Sequence, residues 1–142
     1  MRTLIVLLIL TVVSTTSRGQ HMWLSMLSEY TIAGPQYGAA ILMETNKKLG
    51  AGLFYQADIQ SPAEVKTNNT FYGLQLQIPL AKSEKINFFG TVRGGLVNDK
   101  FAVIVPGVET RINAGKRLAV GFAMSMRMNY PSVLGKLTYR IF

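Results

Sequence analysis

From Gln20 to the end of the chain, apolar and polar residues alternate in segments of about ten residues, and no stretch repeats with helical period. Eight such segments can be drawn, at 22–32, 37–46, 49–59, 71–80, 86–97, 101–112, 118–130 and 133–142. In the fourth, Tyr72, Leu74, Leu76, Ile78 and Leu80 share one face, and Phe71, Gly73, Gln75 and Gln77 share the other. In the seventh, Phe122, Met124, Met126, Met128 and Tyr130 oppose Gly121, Ala123, Ser125, Arg127 and Asn129. The links at 46–48, 81–85 and 113–117 are tight and basic, whereas the link at 60–70 is long. A tilted strand crosses a bilayer in about 9–11 residues. Eight such strands joined by hairpins, with both termini at one end, predict an all-β fold, an eight-stranded antiparallel up-and-down transmembrane β-barrel.

Which face points outward decides the surroundings of such a barrel. A soluble, lipocalin-like barrel binding an apolar ligand turns its apolar face inward, and a membrane barrel turns it to lipid. The polar face holds Gly38, Ala40, Gly50, Gly52, Gly73, Gly95, Gly107, Ala119, Gly121 and Ala123, small residues that suit a narrow interior better than a water-facing surface. The apolar face of the eight segments has no charged residue, and a Lys or Arg there would cost about 2–4 kcal/mol at the bilayer midplane. Six tyrosines, Tyr30, Tyr37, Tyr55, Tyr72, Tyr130 and Tyr139, are assigned to the apolar face, several near segment ends where interfacial girdles form. The membrane orientation is therefore the expectation.

The first 19 residues read as a secretory signal peptide: Arg2, then an apolar run from Leu4 to Val13, then small residues before a cleavage point after Gly19. The barrel occupies 20–142. Of the 15 Lys and Arg in the chain, Arg2 and Arg18 fall in this leader, so the mature part carries 13 against 7 Asp and Glu, a net +6. No nucleic-acid motif accompanies that charge, and no nucleic-acid partner is expected. With no cysteine in the chain, no disulfide braces the domain.

With these features, residues 20–142 resemble a small bacterial outer-membrane barrel of the OmpA-domain or OmpX type. The resemblance implies a Gram-negative outer-membrane location and outer-membrane lipid as surroundings. It also implies biogenesis by the barrel-assembly machinery, for which Tyr139 and the terminal Phe142 are similar to the recognition signal. Tyr139 and Ile141 keep the apolar phase, and Phe142 falls out of it.

A catalytic reading finds little support. The single histidine, His21, stands at the start of the mature chain, and no His, Cys, Asp and Glu cluster has metal-ligand spacing. No catalytic residue, metal or cofactor is expected. The polar face instead carries Glu29, Glu44, Asp58, Arg93, Glu109, Arg111, Arg127, Lys136 and Arg140, a candidate charge network inside the lumen. Following the strands up and down places Glu29, Asp58, Arg93, Arg127 and Lys136 in the outer half and Glu44, Glu109, Arg111 and Arg140 in the periplasmic half. Arg127 is expected to pair with Glu29 or Asp58, because buried charge is tolerable when paired. Lys47, Lys48, Lys82, Lys85, Lys116 and Arg117 are expected on the periplasmic turns, anchoring to phosphates or docking an acidic partner. Ser61, Glu64, Lys66, Asn68 and Asn69 form a candidate contact loop. Pro106 in the sixth segment is expected at a bulge. The function expected from this set is structural, or that of an accessory subunit beside another outer-membrane protein; a narrow ion or small-solute pore is the further alternative.

Overall fold

A computed structural model describes residues 20–58 and 69–141. Over them run eight strands: β1 (Gln20–Thr31), β2 (Gly34–Thr45), β3 (Gly50–Asp58), β4 (Thr70–Lys82), β5 (Ile86–Val97), β6 (Phe101–Asn113), β7 (Leu118–Arg127) and β8 (Tyr130–Arg140). Each pairs antiparallel with the next, and β8 returns to β1 through Trp23 opposite Arg140 and Tyr30 opposite Val133. The sheet is thus a closed barrel without edges, which satisfies the strand backbone within the protein. The proposed leader, four of the five contact-loop candidates (Ser61, Glu64, Lys66 and Asn68) and Phe142 lie outside the described residues.

The apolar face looks outward. Ile104 is 73% exposed and Met124 65%, whereas Phe71 and Phe89, of the opposite phase, are fully buried. Along the described strands the outward face carries no charge; Lys82, the last residue of β4, pairs with the buried Asn87 and so shares the inward phase at the rim. A soluble barrel with an apolar interior has the reverse arrangement, and this orientation overturns that alternative. Tyr30, Tyr37, Tyr55 and Tyr72 stand on the outward face toward the end opposite the basic turns, and Tyr139 stands toward the basic end.

Three local expectations are corrected. First, β7 ends at Arg127, and Met128 and Asn129 form a two-residue turn with φ of 50° and 68°. Two left-handed residues give the hairpin a twist that matches its strands. Asn129 is therefore at a turn and not in the lumen. Tyr130 pairs with Arg127 and shares its inward phase at the rim, so it leaves the outward set. Second, Pro106 causes no bulge: β6 pairs with β5 without a register shift from Ile112 to Phe101. The ladder between β6 and β7 begins at Gly107 opposite Ser125, so Pro106 lies just past its end, where a missing N–H costs no ladder bond on that side. The bulge is in β4 instead, where Pro79 and Ala81 pair with Phe89 and Phe88 and Leu80 is left over.

Third, narrowness of the lumen is not what demands several of the inward glycines. Gly73 faces Gly95 across β4 and β5, and a Cβ on Gly73 would stand 2.1 Å from the carbonyl oxygen of Gly94. The neighbouring backbone occupies that space, so a bare Cα lets the two strands coil closely as the wall curves. A Cβ on Gly94 would meet nothing within 4 Å. Gly73→Ala is accordingly expected to lower the unfolding free energy by about 2 kcal/mol or more, and Gly94→Ala to stay within about 0.5 kcal/mol of the parent. Urea unfolding in detergent checks this; equal effects of the two substitutions would contradict the close-approach account.

Candidate functional site

Strand parity delivers the inward charges to the lumen, and the register sorts them into two tiers. In the tier farther from the basic turns, Arg93 on β5 makes a bidentate pair with Glu29 on β1, at 2.7 and 2.8 Å. With three strands between them in either direction around the barrel, β1 and β5 are opposite walls, so this pair spans the lumen. Arg93 also donates to Gln56 at 2.8 Å and to Ser125 at 3.2 Å, and Ser132 donates to Glu29 at 2.8 Å. The Arg93 guanidinium lies 5.7 Å from the centroids of both the Phe54 and Phe71 rings. Charge-assisted bonds and aromatic faces together replace the water that the ions gave up.

In the tier nearer the basic turns, Arg111 on β6 pairs with Glu44 on β2 at 2.7 Å, again joining opposite walls. Gln77 donates to Glu44 at 3.0 Å and accepts from Arg111 at 2.5 Å. Glu109 bridges Lys136 at 2.5 Å and Arg111 at 3.5 Å. Gly121 leaves room for this bridge, since a Cβ there would stand 3.3 Å from both Glu109 Oε1 and Lys136 Cβ. Arg111 lies 4.5 Å from the Phe89 ring centroid and 5.3 Å from that of Trp23. An inward apolar layer that includes Leu27, Phe54, Val105 and Leu134 fills space around the tiers.

Of the predicted lumen charges, Glu29, Glu44, Arg93, Glu109, Arg111 and Lys136 are brought together, and Arg127, Asp58 and Arg140 are not. Lys136 belongs to the tier on the basic side, because β8 starts at Tyr130 rather than 133 and Lys136 is correspondingly farther from the outer rim. Arg127 does not pair with Glu29 or Asp58. Glu29 is already engaged by Arg93 and Ser132, and Arg127 donates to Gln36 at 2.6 Å while stacking 4.4 Å from the Phe71 centroid. Asp58 stands at the end of β3, where the described residues break off, and makes no ion pair among them. Arg140 makes none among them either and lies 5.9 Å from the Trp23 centroid.

The residues that sequence reasoning left out of the network are neutral: Gln36, Gln56, Gln77, Ser125 and Ser132. Each sits in the inward phase, and that phase is the signal that would have found them. Two mouths flank the tiers. The outer one has a cavity of about 290 Å3 lined by Gln36, Arg127 and Pro131 among others; the basic one has a cavity of about 150 Å3. Lys47, Lys85, Lys116 and Arg117 are exposed on the turns, and Lys82 is exposed at the end of β4. Lys48 differs: it is half-buried, with φ of 65°, and donates to the buried Asn87. Desolvation holds its ammonium below the usual lysine range, against an opposing pull from Glu44 and with help from Arg111 and Lys82. Asn69, the described member of the contact loop, accepts from the Asn98 side chain at 3.0 Å.

No protein-family model matches the chain, and no curated protein matches it in sequence. Solved structures match in fold. A de novo designed transmembrane β-barrel aligns with a TM-score of 0.72 at 9% identity, covering 88% of this chain and 98% of the design. A second design, TMB2.3, aligns at 0.67 and 12% identity, covering 89% and 99%. Ail, the attachment invasion locus protein of Yersinia pestis, aligns at 0.51 and 9% identity, covering 86% and 97%. The likeness is one of fold: a transmembrane eight-stranded β-barrel of the small bacterial outer-membrane kind.

Removing one member of a buried ion pair leaves the other unpaired and typically costs about 3–5 kcal/mol. Arg93→Met strands Glu29, whereas Arg127→Met strands no carboxylate. The expected order in detergent unfolding is therefore a large loss for Arg93→Met and a clearly smaller one for Arg127→Met. The reverse order would contradict the pairing.

Proposed function

We propose that the protein is an integral barrel of a bacterial outer membrane, closed in its lumen and without catalytic activity, acting as a structural or accessory subunit of a larger outer-membrane assembly. The observation that carries this reading is the pairing of the lumen ions across opposite walls. The carboxylates of Glu29, Glu44 and Glu109 are each bonded to a cation, so none of them is free for general acid or base work. The same pairs stand across the path an ion would take, and eight strands leave little room around them.

The turns favour an accessory role over a receptor or adhesin. Ile32 and Ala33 form one outer turn, Met128 and Asn129 another, and residues 98–100 a third, so these three hairpins project little surface. A partner would therefore meet the apolar wall or the 60–70 link. In this orientation the basic turns face the periplasm, where Lys82, Lys85 and Arg117 meet inner-leaflet phosphates.

Reconstitution in planar bilayers tests closure. The expected record is a flat baseline for the parent protein, and reproducible conductance steps would favour the pore alternative. Purification from membranes in mild detergent tests the subunit role: co-elution with another outer-membrane protein in fixed ratio is expected, and a monomer recovered alone would count against it.

A further inference from the structure

The basic mouth holds a feature that the tiers leave unexplained. Its cavity of about 150 Å3 is lined by Trp23, Lys48, Arg111, Lys116 and Arg140, with Glu44 as its carboxylate. Two buried donors there have no hydrogen-bond partner among the described residues: Trp23 Nε1–H and Arg111 Nε–H. Trp23 is 7% exposed and Arg111 3%, so bulk water reaches neither side chain freely. A buried donor left unmade costs roughly 1–3 kcal/mol, more on a charged group. Four cationic side chains surround a single carboxylate, which Arg111 and Gln77 already engage. The excess positive charge and the two idle donors ask for the same thing, an anion with several acceptor oxygens.

We propose that this mouth is a binding site for a phosphate group. The Arg111 and Trp23 N–H groups are the inner donors, and Lys48, Lys116 and Arg140 supply charge at the rim. A phosphate offers acceptors in several directions, which suits donors converging from different strands. The cavity has the volume for a phosphate group with a few waters, and not for a whole drug-sized ligand. The phosphate belongs either to a lipid headgroup of the adjoining leaflet or to a small soluble phosphate compound. The site is independent of the accessory-subunit reading, since it needs the barrel and its basic mouth alone.

Trp23 is the chain's single tryptophan, so one indole N–H resonance and one emission band report on the site. The full-length mature protein in a neutral sugar-headgroup detergent is titrated with inorganic phosphate, and separately with short-chain phosphatidylglycerol, at constant ionic strength maintained with chloride. A saturable shift of the indole resonance is expected, with half-saturation on the order of millimolar or lower. Tighter saturation by phosphatidylglycerol identifies the lipid as source; tighter saturation by inorganic phosphate identifies a soluble compound. The double variant Lys48→Ala/Lys116→Ala, confirmed as folded by heat-modifiable migration, is expected to weaken saturation about tenfold or more. The proposal is overturned by a non-saturable shift with both titrants, by an equal shift with chloride, or by unchanged affinity in the folded double variant.

Discussion

Arg93 reaches across the barrel to Glu29, and Arg111 reaches across it to Glu44. Hydrogen-bond ladders tie each strand to its two neighbours, but they do nothing to hold opposite walls together. These two pairs do, linking β1 with β5 and β2 with β6. Their cost is desolvation, and further partners offset it: Gln56, Ser125 and Ser132 in one tier and Gln77 in the other, with aromatic faces beside both guanidinium groups. An ion pair stripped of these partners would be worse than an apolar core, which is why the neutral glutamines and serines matter as much as the charges.

The same pairs specify register. A strand that slipped by one residue would carry its charge to the lipid face and its leucines or methionines into the lumen. It would pay twice, once for the ion in hydrocarbon and once for the partner left behind. Curvature is handled separately, by bare α-carbons such as Gly73 and Gly95, where the neighbouring backbone occupies the place of a Cβ.

Much of this was legible in the sequence. Strand number, topology, the outward apolar face and the inward set of charges all follow from a period-two pattern, which is the geometry of a strand. What escaped did so for identifiable reasons. Met128 and Tyr130 extend the even-numbered apolar phase of β7 past its true end, so the two-residue turn hides inside an unbroken alternation. That error displaced the start of β8 and with it the level assigned to Lys136. The partner of Arg127 was misjudged because charge alone does not show that Glu29 is already engaged. Pro106 could not be placed without knowing that the ladder between β6 and β7 stops at Gly107 and Ser125. The idle donors of Trp23 and Arg111 have no sequence signature, since they arise from where neighbouring strands put their side chains.

The claim on which the rest depends is that the charged face is inside and the apolar face meets lipid. Single cysteines introduced one at a time from 122 to 126 in this cysteine-free chain, spin-labelled and reconstituted in bilayers, report that orientation directly. The account predicts an alternating pattern, with positions 122, 124 and 126 open to collisions with lipid-dissolved oxygen and positions 123 and 125 protected. Alternation in the opposite phase, or uniform accessibility along the segment, would contradict it.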